Sequence, residues 1–331
     1  MIKKALIIVP HQDDELNVAA PLLSQLVDAS IEITVCFVTN GDYDGNQEVR
    51  LKEAKKVSHL FNNWKIIYLG YGDGGYIGAL YNSKDYDSVV KSPSGHTETY
   101  GVGDIIDYHY QNYNEHSVYT KRKLLNDIQD CILRIKADLI FCIDMDEHPD
   151  HKLVSEIFDS AMQQIVQNTD YCPLVLKKFA YLGCWYGPCD YFIRPMIPTQ
   201  CITTIKHDNS WNINEDLWTK RICFDVSKKD YPLRFWKSRI FKAYKCYKSQ
   251  NGGLFFFSAI NSDATYWFYN TKNGKYESST DFPVEETPFK IVEADESVKV
   301  RKMYIFYIIY IIYKIYIKIQ SKITRKFRNG I

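Results

Sequence analysis

The chain has 331 residues, of which 46% are hydrophobic and 24% charged, so it is long enough and apolar enough to bury a sizeable core. A net charge of +1 excludes a global electrostatic field that would attract nucleic acid. Nine cysteines without a CxxC pair argue against a zinc knuckle and against a disulfide framework, and they favour the reduced thiols of a cytoplasmic protein.

Apolar runs and amphipathic segments alternate along the first half of the chain. The run over 5–9 predicts a buried first strand and is too short for a signal-peptide core. A helix is predicted to begin near Pro21, where proline is tolerated in a first turn. Further strands are predicted at 33–39, 66–69 and 139–143, and further helices at 47–61, 124–135 and 153–165. This alternation implies βαβ units, a largely parallel sheet and helices on both of its faces.

The second half of the chain is less regular. Residues 70–116 are rich in Gly, Tyr, Ser and Asp and predict a functional surface loop region. Candidate strands at 176–182 and 254–259 lie in a mixed, aromatic region. These patterns predict one domain over 1–270, in which 171–240 is a variable region that shapes the substrate pocket. A polar connector over 271–300 and a C-terminal amphipathic tail over 301–331 follow it.

Two polar motifs follow predicted strands. Pro10–Glu15 reads PHQDDE after the first strand, and His148–His151 reads HPDH after the strand at 139–143. In parallel sheets, ligand sites lie beyond the carboxyl ends of the strands, so the topology allows both motifs to meet at one edge. A catalytic zinc site takes three His or carboxylate ligands and leaves a position for water. His11, Asp14 and His151 supply that set.

The remaining residues of these motifs match the other tasks of hydrolysis. Asp13 is placed to accept a proton from an attacking water, and His148 to donate to the leaving amine or to stabilise the oxyanion. Asp150 is a candidate for orienting His148. Taken singly, either motif also fits ordinary helix caps or surface histidines, but two such motifs at strand ends favour a metal site.

PHQDDE together with HPDH resembles the PIG-L/LmbE-like family of zinc-dependent N-acetylglucosaminyl de-N-acetylases, whose usual form is (A/P)HPDDE and HPDH. Gln12 departs from the usual proline. The resemblance implies a Rossmann-like three-layer α/β fold with a mainly parallel sheet, and an enzyme that removes an acetyl group from an N-acetylated amino sugar in a glycoconjugate. It implies Zn²⁺, with Fe²⁺ as an alternative, held by His11, Asp14 and His151. Asp13 would be the general base and His148 the electrophile or acid.

Further matches extend the resemblance to about residue 270, including Lys242–Gln250, which is similar to the family's closing helix. Arg50 is predicted to clamp a phosphate or sugar hydroxyls, with a salt bridge on the helix surface as the alternative. Asp42 is a weaker candidate for substrate binding, because Asp at a turn is often structural. The predicted partner is an N-acetylated sugar conjugate, lipid-linked or nucleotide-linked.

The tail at 301–331 has the pattern of an interfacial helix. Drawn as a helix, seven isoleucines between 305 and 323 form one stripe, and basic residues form another: Lys314, Lys318, Lys322 and Arg325. Such a helix is attracted to anionic lipid, so the sequence predicts peripheral attachment to the inner face of the membrane. A C-terminal helix or strand packed on the domain is the alternative.

Three rival functions remain. Asp144-Met145-Asp146 after a buried strand resembles the DxD of glycosyltransferases, but that interpretation leaves His11 and His151 without a task. A hydrolase of the same fold that acts on a non-sugar amide is a second alternative. A binding module without turnover is the third, and the presence of both Asp13 and His148 argues against it.

Overall fold

The computed structural model describes residues 2–144, 146–180, 215–227, 229–230, 236–259 and 263–292, together with Ile315. The predicted amphipathic tail, apart from Ile315, and much of the variable region at 171–240 therefore lie outside the described residues. Across the described ranges, no helix is both long and apolar enough to cross a membrane.

In the described part of the chain, the strands form one eight-stranded sheet. They are β1 (Lys4–Val9), β2 (Glu32–Thr39), β3 (Lys65–Tyr71), β4 (Leu139–Ile143), β5 (Leu174–Lys178), β6 (Ile222–Asp225), β7 (Asp263–Asn270) and β8 (Lys275–Tyr276). Their order is β3-β2-β1-β4-β5-β7-β6, with β8 paired to β7. Strands β1 to β5 pair in parallel, and β7 pairs antiparallel with β5, β6 and β8.

Helices cover both faces of this sheet. They are α1 (Asp14–Asp28), α2 (Gln47–Leu60), α3 (Tyr108–Tyr113), α4 (Lys121–Ile135), α5 (Pro149–Asn168), α6 (Glu215–Thr219), α7 (Arg239–Tyr244) and α8 (Gly252–Ala259). Helix α4 packs against α5, while α1 packs against α7 and α8. The central strands are apolar on both faces because helices bury both, as the all-buried pattern of β4 shows. The predicted α/β fold with a mainly parallel sheet is confirmed.

Two predicted elements differ from the structure. Helix α1 begins at Asp14 and contains Pro21 in its interior, rather than starting there. Burial of Ala20, Leu22 and their neighbours against the sheet offsets the backbone hydrogen bond that proline cannot donate. The apolar run at 254–259 is the end of helix α8 and not a strand. A short apolar run fits either element, so its periodicity does not distinguish them.

The segment predicted as a polar connector packs on the sheet where the structure describes it. Tyr276 in β8 pairs with Tyr269 in β7, and Phe282 and Phe289 are buried against Phe224. Ile291 forms a backbone bridge with Phe224. These contacts extend the fold to about residue 292. Single aromatic side chains in a largely polar segment can be buried without forming an apolar run in the sequence.

The strand order places a crevice beside β1. The chain proceeds outwards from β1 through β2 to β3 and then returns to β4 on the other side of β1, so the order reverses between β1 and β4. In doubly wound sheets, such a switch point opens a crevice at the carboxyl ends of the strands. Both polar motifs follow these two strands.

Candidate metal centre and active site

The loops after β1 and β4 bring the two motifs together. The chain leaves β1 at Val9, and His11 lies in the turn before α1, whose first residue is Asp14. His148 is the N-cap of α5, and His151 lies in that helix's first turn. Because β1 and β4 are paired neighbours, the two helix starts face the same crevice.

The predicted ligands His11, Asp14 and His151 converge. Asp14 Oδ2 lies 3.0 Å from His11 Nδ1 and 3.2 Å from His151 Nε2. Ligand atoms about 2.0–2.2 Å from a tetrahedral zinc ion lie about 3.3 Å from one another, so each of these two separations suits a pair of ligands on one ion. All three side chains are buried, and His11 and Asp14 also line a cleft of about 330 Å³. The cluster therefore fits a divalent metal that a substrate reaches from the cleft.

Carboxylates hold the outer nitrogens of both histidine ligands. Asp146 Oδ2 lies 2.6 Å from His151 Nδ1, and Asp150 Oδ2 and Asp73 Oδ1 lie 3.1 and 3.5 Å from His11 Nε2. Such carboxylates fix the tautomer and raise the basicity of a metal-binding imidazole. Burial lowers the pKa of His151, but Asp146 and Asp14 outweigh it and raise that pKa to about 10. Sequence reasoning missed this role for Asp146 and Asp73, although both follow strand ends.

Asp150 contacts both His148 and His11, through different groups. Its carboxylate contacts His11 and not His148, whereas its backbone N–H donates to His148 Nδ1 at 3.2 Å. The local reason is the start of α5, where His148 caps the second amide of the helix with its own ring and Pro149 occupies the first position. Asp150 thus orients His148 through the backbone and His11 through its side chain.

His148 presents a neutral imidazole to the cleft. Its Nδ1 accepts the Asp150 amide proton, so the ring proton is on Nε2. Burial, followed by the neighbouring His11 and His151 rings, lowers the pKa of His148 to about 3. The spacing of His11, His148 and His151 also suits a set of three histidine ligands. An Nε2 that keeps its proton cannot ligate, however, so the set containing Asp14 leaves His148 as a hydrogen-bond donor.

Asp13 lines the same cleft beside the metal cluster. Its backbone φ of 113° lies in a region that residues other than glycine rarely adopt. Two buried groups hold this backbone: Glu15 Oε2 accepts the Asp13 N–H at 2.9 Å, and Arg50 Nη2 donates to the Gln12 carbonyl at 2.9 Å. Burial, and then the Asp14 carboxylate, raise the pKa of Asp13 to about 7. A carboxylate with such a pKa is suited to accept a proton near neutral pH.

Arg50 is buried and lines the cleft, and its Nε has no hydrogen-bond partner among the described residues. Besides its bond to the Gln12 carbonyl, its Nη2 lies 3.6 Å from Asp13 Oδ1. Gln12, which replaces the usual proline, is fully buried and donates through Nε2 to the Thr39 carbonyl at 2.8 Å. Gln12 and Arg50 therefore brace the turn that carries Asp13.

Asp42, the weaker candidate for substrate binding, contacts two neighbouring loops in the structure. It is buried, and its carboxylate accepts hydrogen bonds from the Asp73 N–H at 2.6 Å, from Tyr100 Oη at 2.6 Å and from Ser94 Oγ. The carboxylate ties the loop after β3 to residues 94–100. With both oxygens occupied and no share in the cleft lining, Asp42 supports the walls of the site.

The two carboxylates of the DxD pattern point to different partners. Asp146 contacts His151, as described above, whereas Asp144 accepts from Ser155 Oγ at 3.2 Å and from Tyr276 Oη at 2.8 Å. Both aspartates are buried, with exposures of 4% for Asp144 and 1% for Asp146. A metal–diphosphate site needs both carboxylates on one accessible ion. The geometry therefore does not support the glycosyltransferase alternative.

This divergence predicts that two neighbouring substitutions affect metal affinity to different extents. Asp146→Asn removes the carboxylate behind His151, and we expect zinc affinity to fall about 10- to 100-fold. Asp144→Asn changes a carboxylate that contacts Ser155 and Tyr276, which are not candidate ligands, and we expect zinc affinity to stay within about twofold. Competition with a zinc-binding dye measures both affinities on the full chain. Equal losses in the two variants would instead favour a shared DxD metal.

The crevice and its side chains define an α/β protein with a candidate metal-binding site at the switch point of its sheet. Residues 6–162 match the family described as PIG-L: GlcNAc-PI de-N-acetylase. The domain formed by these residues belongs to the PIG-L family, which confirms the resemblance found in the sequence. The matched range contains every residue of the predicted metal cluster.

Solved structures with a similar chain are distant in sequence. They are the N,N′-diacetylchitobiose deacetylase from Pyrococcus horikoshii (18% identity, 53% of this chain and 60% of that chain, TM-score 0.36), a conserved protein from Thermus thermophilus (18%, 49% and 56%, 0.33) and a deacetylase of teicoplanin biosynthesis (13%, 80% and 97%, 0.46). The chain thus spans 60% and 56% of the length of the first two. Similarity at such identities is one of fold and does not extend to a substrate. No curated protein sequence matches the chain.

Proposed function

We propose that the chain is a zinc-dependent hydrolase that removes the acetyl group from an N-acetylated amino sugar in a glycoconjugate. The observation that carries this proposal is the position of Asp13, which shares a cleft with His11 and Asp14 inside a PIG-L family domain. A base beside a His/Asp/His cluster is the arrangement that hydrolysis of an amide requires. Fe²⁺ would suit the same donor set, since imidazole and carboxylate accept several divalent metals.

The residues divide the reaction among them. His11, Asp14 and His151 would hold the zinc ion, which would supply the Lewis acidity that activates water and polarises a carbonyl. Asp13 takes the proton of the attacking water as its oxygen bonds to the acetamide carbon. His148 donates a hydrogen bond from Nε2 to the oxyanion that develops on the carbonyl oxygen. Asp13 then returns the proton to the nitrogen as the C–N bond breaks, and the acetic acid and amine so formed leave as acetate and the protonated amine.

Acetate release from N-acetylated sugar conjugates tests this proposal. We expect the zinc-loaded full chain to release one acetate for each new amine, and chelation of the metal to stop the release. An N-acetylated peptide serves as the matched non-sugar amide. Turnover of the peptide but of no sugar would support the alternative of a non-sugar amide hydrolase, and turnover of neither would contradict the proposal.

We also propose that the basic stripe of the tail binds the inner membrane surface and brings the enzyme to a lipid-linked substrate. Each basic residue near an anionic surface contributes about 1 kcal/mol. Replacing the four residues of the stripe by glutamine should therefore weaken binding to anionic vesicles at least tenfold: Lys314, Lys318, Lys322 and Arg325. Sedimentation with anionic and zwitterionic vesicles measures the effect. Unchanged binding, or no binding by the original chain, would contradict this role.

A further inference from the structure

Two exposed tyrosines form an aromatic rim on the candidate active-site cleft. Tyr43 and Tyr76 both line the cleft that contains Asp13 and His11. Tyr43 is 43% exposed and Tyr76 is 78% exposed, although large aromatic side chains usually bury most of their surface. An aromatic face that remains open beside a polar site is available to a ligand.

The Tyr76 loop is fixed to the groups that surround the metal cluster. The N–H of Gly74 donates to Asp150 Oδ2 at 2.9 Å, and the N–H of Gly75 donates to Asp73 Oδ1 at 2.8 Å. The same two carboxylates hold His11. Tyr76 follows in the 3₁₀ turn Gly75–Ile77, and its ring centroid lies 5.3 Å from that of His148. The position of this ring relative to the reaction centre is therefore defined.

Gly75 brings Tyr43 to the same rim. Its φ of +52° favours glycine, and a Cβ at this position would collide with the Tyr43 ring, which packs on the bare backbone. Because Gly75 immediately precedes Tyr76, the two tyrosines become neighbours although 33 positions separate them in the sequence. The aromatic rim thus depends on Gly75, because any other residue at this position would displace the Tyr43 ring.

The rest of the cleft is polar and offers little to a phosphate. Among the described residues that line it, Arg50 is the single Lys or Arg, and its Nη2 already contacts Asp13 and the Gln12 carbonyl. Carboxylates predominate, namely Asp13, Asp14, Asp44 and Asp73. The side-chain amides of Gln250 and Asn251 contribute neutral donors and acceptors. This charge pattern suits a neutral ligand with many hydroxyl groups.

We propose that the aromatic rim binds the sugar next to the N-acetylated unit, so that the substrate is an uncharged glycan of at least two sugars. A pyranose ring has an apolar C–H face, which the ring of Tyr76 covers, and a hydroxyl edge, which the amides of Gln250 and Asn251 reach. The inference rests on the proposed deacetylation, and it departs from the sequence-based expectation that Arg50 clamps a phosphate.

Three substrates and four forms of the zinc-loaded full chain test this inference. The substrates are N-acetylglucosamine, a neutral disaccharide that carries N-acetylglucosamine at its non-reducing end, and N-acetylglucosamine 1-phosphate. The chains are the original, Tyr76→Ala, Tyr76→Phe and, as a matched control, Tyr113→Ala at another exposed tyrosine. We expect the original chain to prefer the disaccharide over the monosaccharide about five- to tenfold in kcat/KM, the range that one aromatic contact supplies. Tyr76→Ala should abolish this preference, while Tyr76→Phe and Tyr113→Ala should keep it.

A binding measurement separates failure of the aromatic rim from failure of the proposed reaction. Saturation-transfer NMR detects the disaccharide on the original chain and on Tyr76→Ala without requiring turnover. If the original chain contacts the second sugar and Tyr76→Ala does not, the result supports binding of that sugar by the aromatic rim, even if no acetate is released. An unchanged disaccharide preference and unchanged contact in Tyr76→Ala would overturn the inference, as would a preference for the sugar phosphate. If the disaccharide neither binds nor reacts, the inference fails together with the proposed function.

Discussion

Replacing Asp13 by asparagine should lower kcat for acetate release about 10²- to 10⁴-fold, the range that a positioned general base supplies. The amide keeps the size of the side chain but cannot accept the proton of the attacking water. Because Asp13 is not one of the convergent ligands, zinc content should remain that of the original chain. In the original chain, Arg50 Nη2 lies 3.6 Å from Asp13 Oδ1. In the variant, Arg50 would face a neutral amide in place of this carboxylate.

Acetate release, zinc content and thermal unfolding measured on the same preparation distinguish this role from a structural one. Asp170→Asn, at an exposed aspartate after the end of α5, is the control and should leave all three unchanged. A variant at Asp13 that keeps more than about a tenth of the original kcat would contradict its role as the base. A variant that loses zinc would show instead that Asp13 is needed to hold the metal.

The second large effect concerns stability and involves a buried lysine in β5. Lys177 is fully buried, and its Nζ lies 2.8 Å from Asp159 Oδ1 and 2.8 Å from Ser155 Oγ. It also lies 5.1 Å from the centre of the Tyr269 ring. Burial lowers the pKa of Lys177, but Asp159 and the other nearby groups outweigh it and raise that pKa well above its ordinary value. The charged amine is thus part of the folded core.

Lys177→Met should lower the free energy of unfolding by about 3–5 kcal/mol, because it removes the buried cation that compensates the buried Asp144 and the partly buried Asp159. Urea denaturation of the full chain measures the change. Lys65→Met, at an exposed lysine in β3, is the control and should change stability by less than about 0.5 kcal/mol. The double variant Lys177→Met/Asp159→Leu should recover part of the loss. A single variant as stable as the original chain would contradict this account.

Most of the central fold could be predicted from local patterns. Continuous apolar runs mark β1, β2 and β4, and apolar residues at helical spacing mark α4 and α5. The alternation of such strands and helices implies a parallel sheet. Strands β6, β7 and β8 form by antiparallel pairing, partly between segments that are distant in the sequence. A local hydrophobic pattern does not predict such pairing.

The ligand candidates could be predicted because their type and spacing are specific, but their surroundings could not. His11, Asp14 and His151 belong to two short motifs at strand ends, which identify them as candidates. The direction of a side chain depends on backbone angles and neighbours, so the contact of Asp150 with His11 and that of Asp146 with His151 required coordinates. The same holds for Asp42, whose role as a support depends on contacts with residues 94–100 in a distant loop.

Zinc content of the purified full chain, compared with that of His151→Ala, tests the central claim most directly. We expect about one zinc per original chain, its loss in His151→Ala, and its retention in His148→Ala, because His148 donates to the substrate and does not ligate. An original chain without tightly held metal, or a His151→Ala chain that keeps its zinc, would contradict the metal centre on which the proposed function rests.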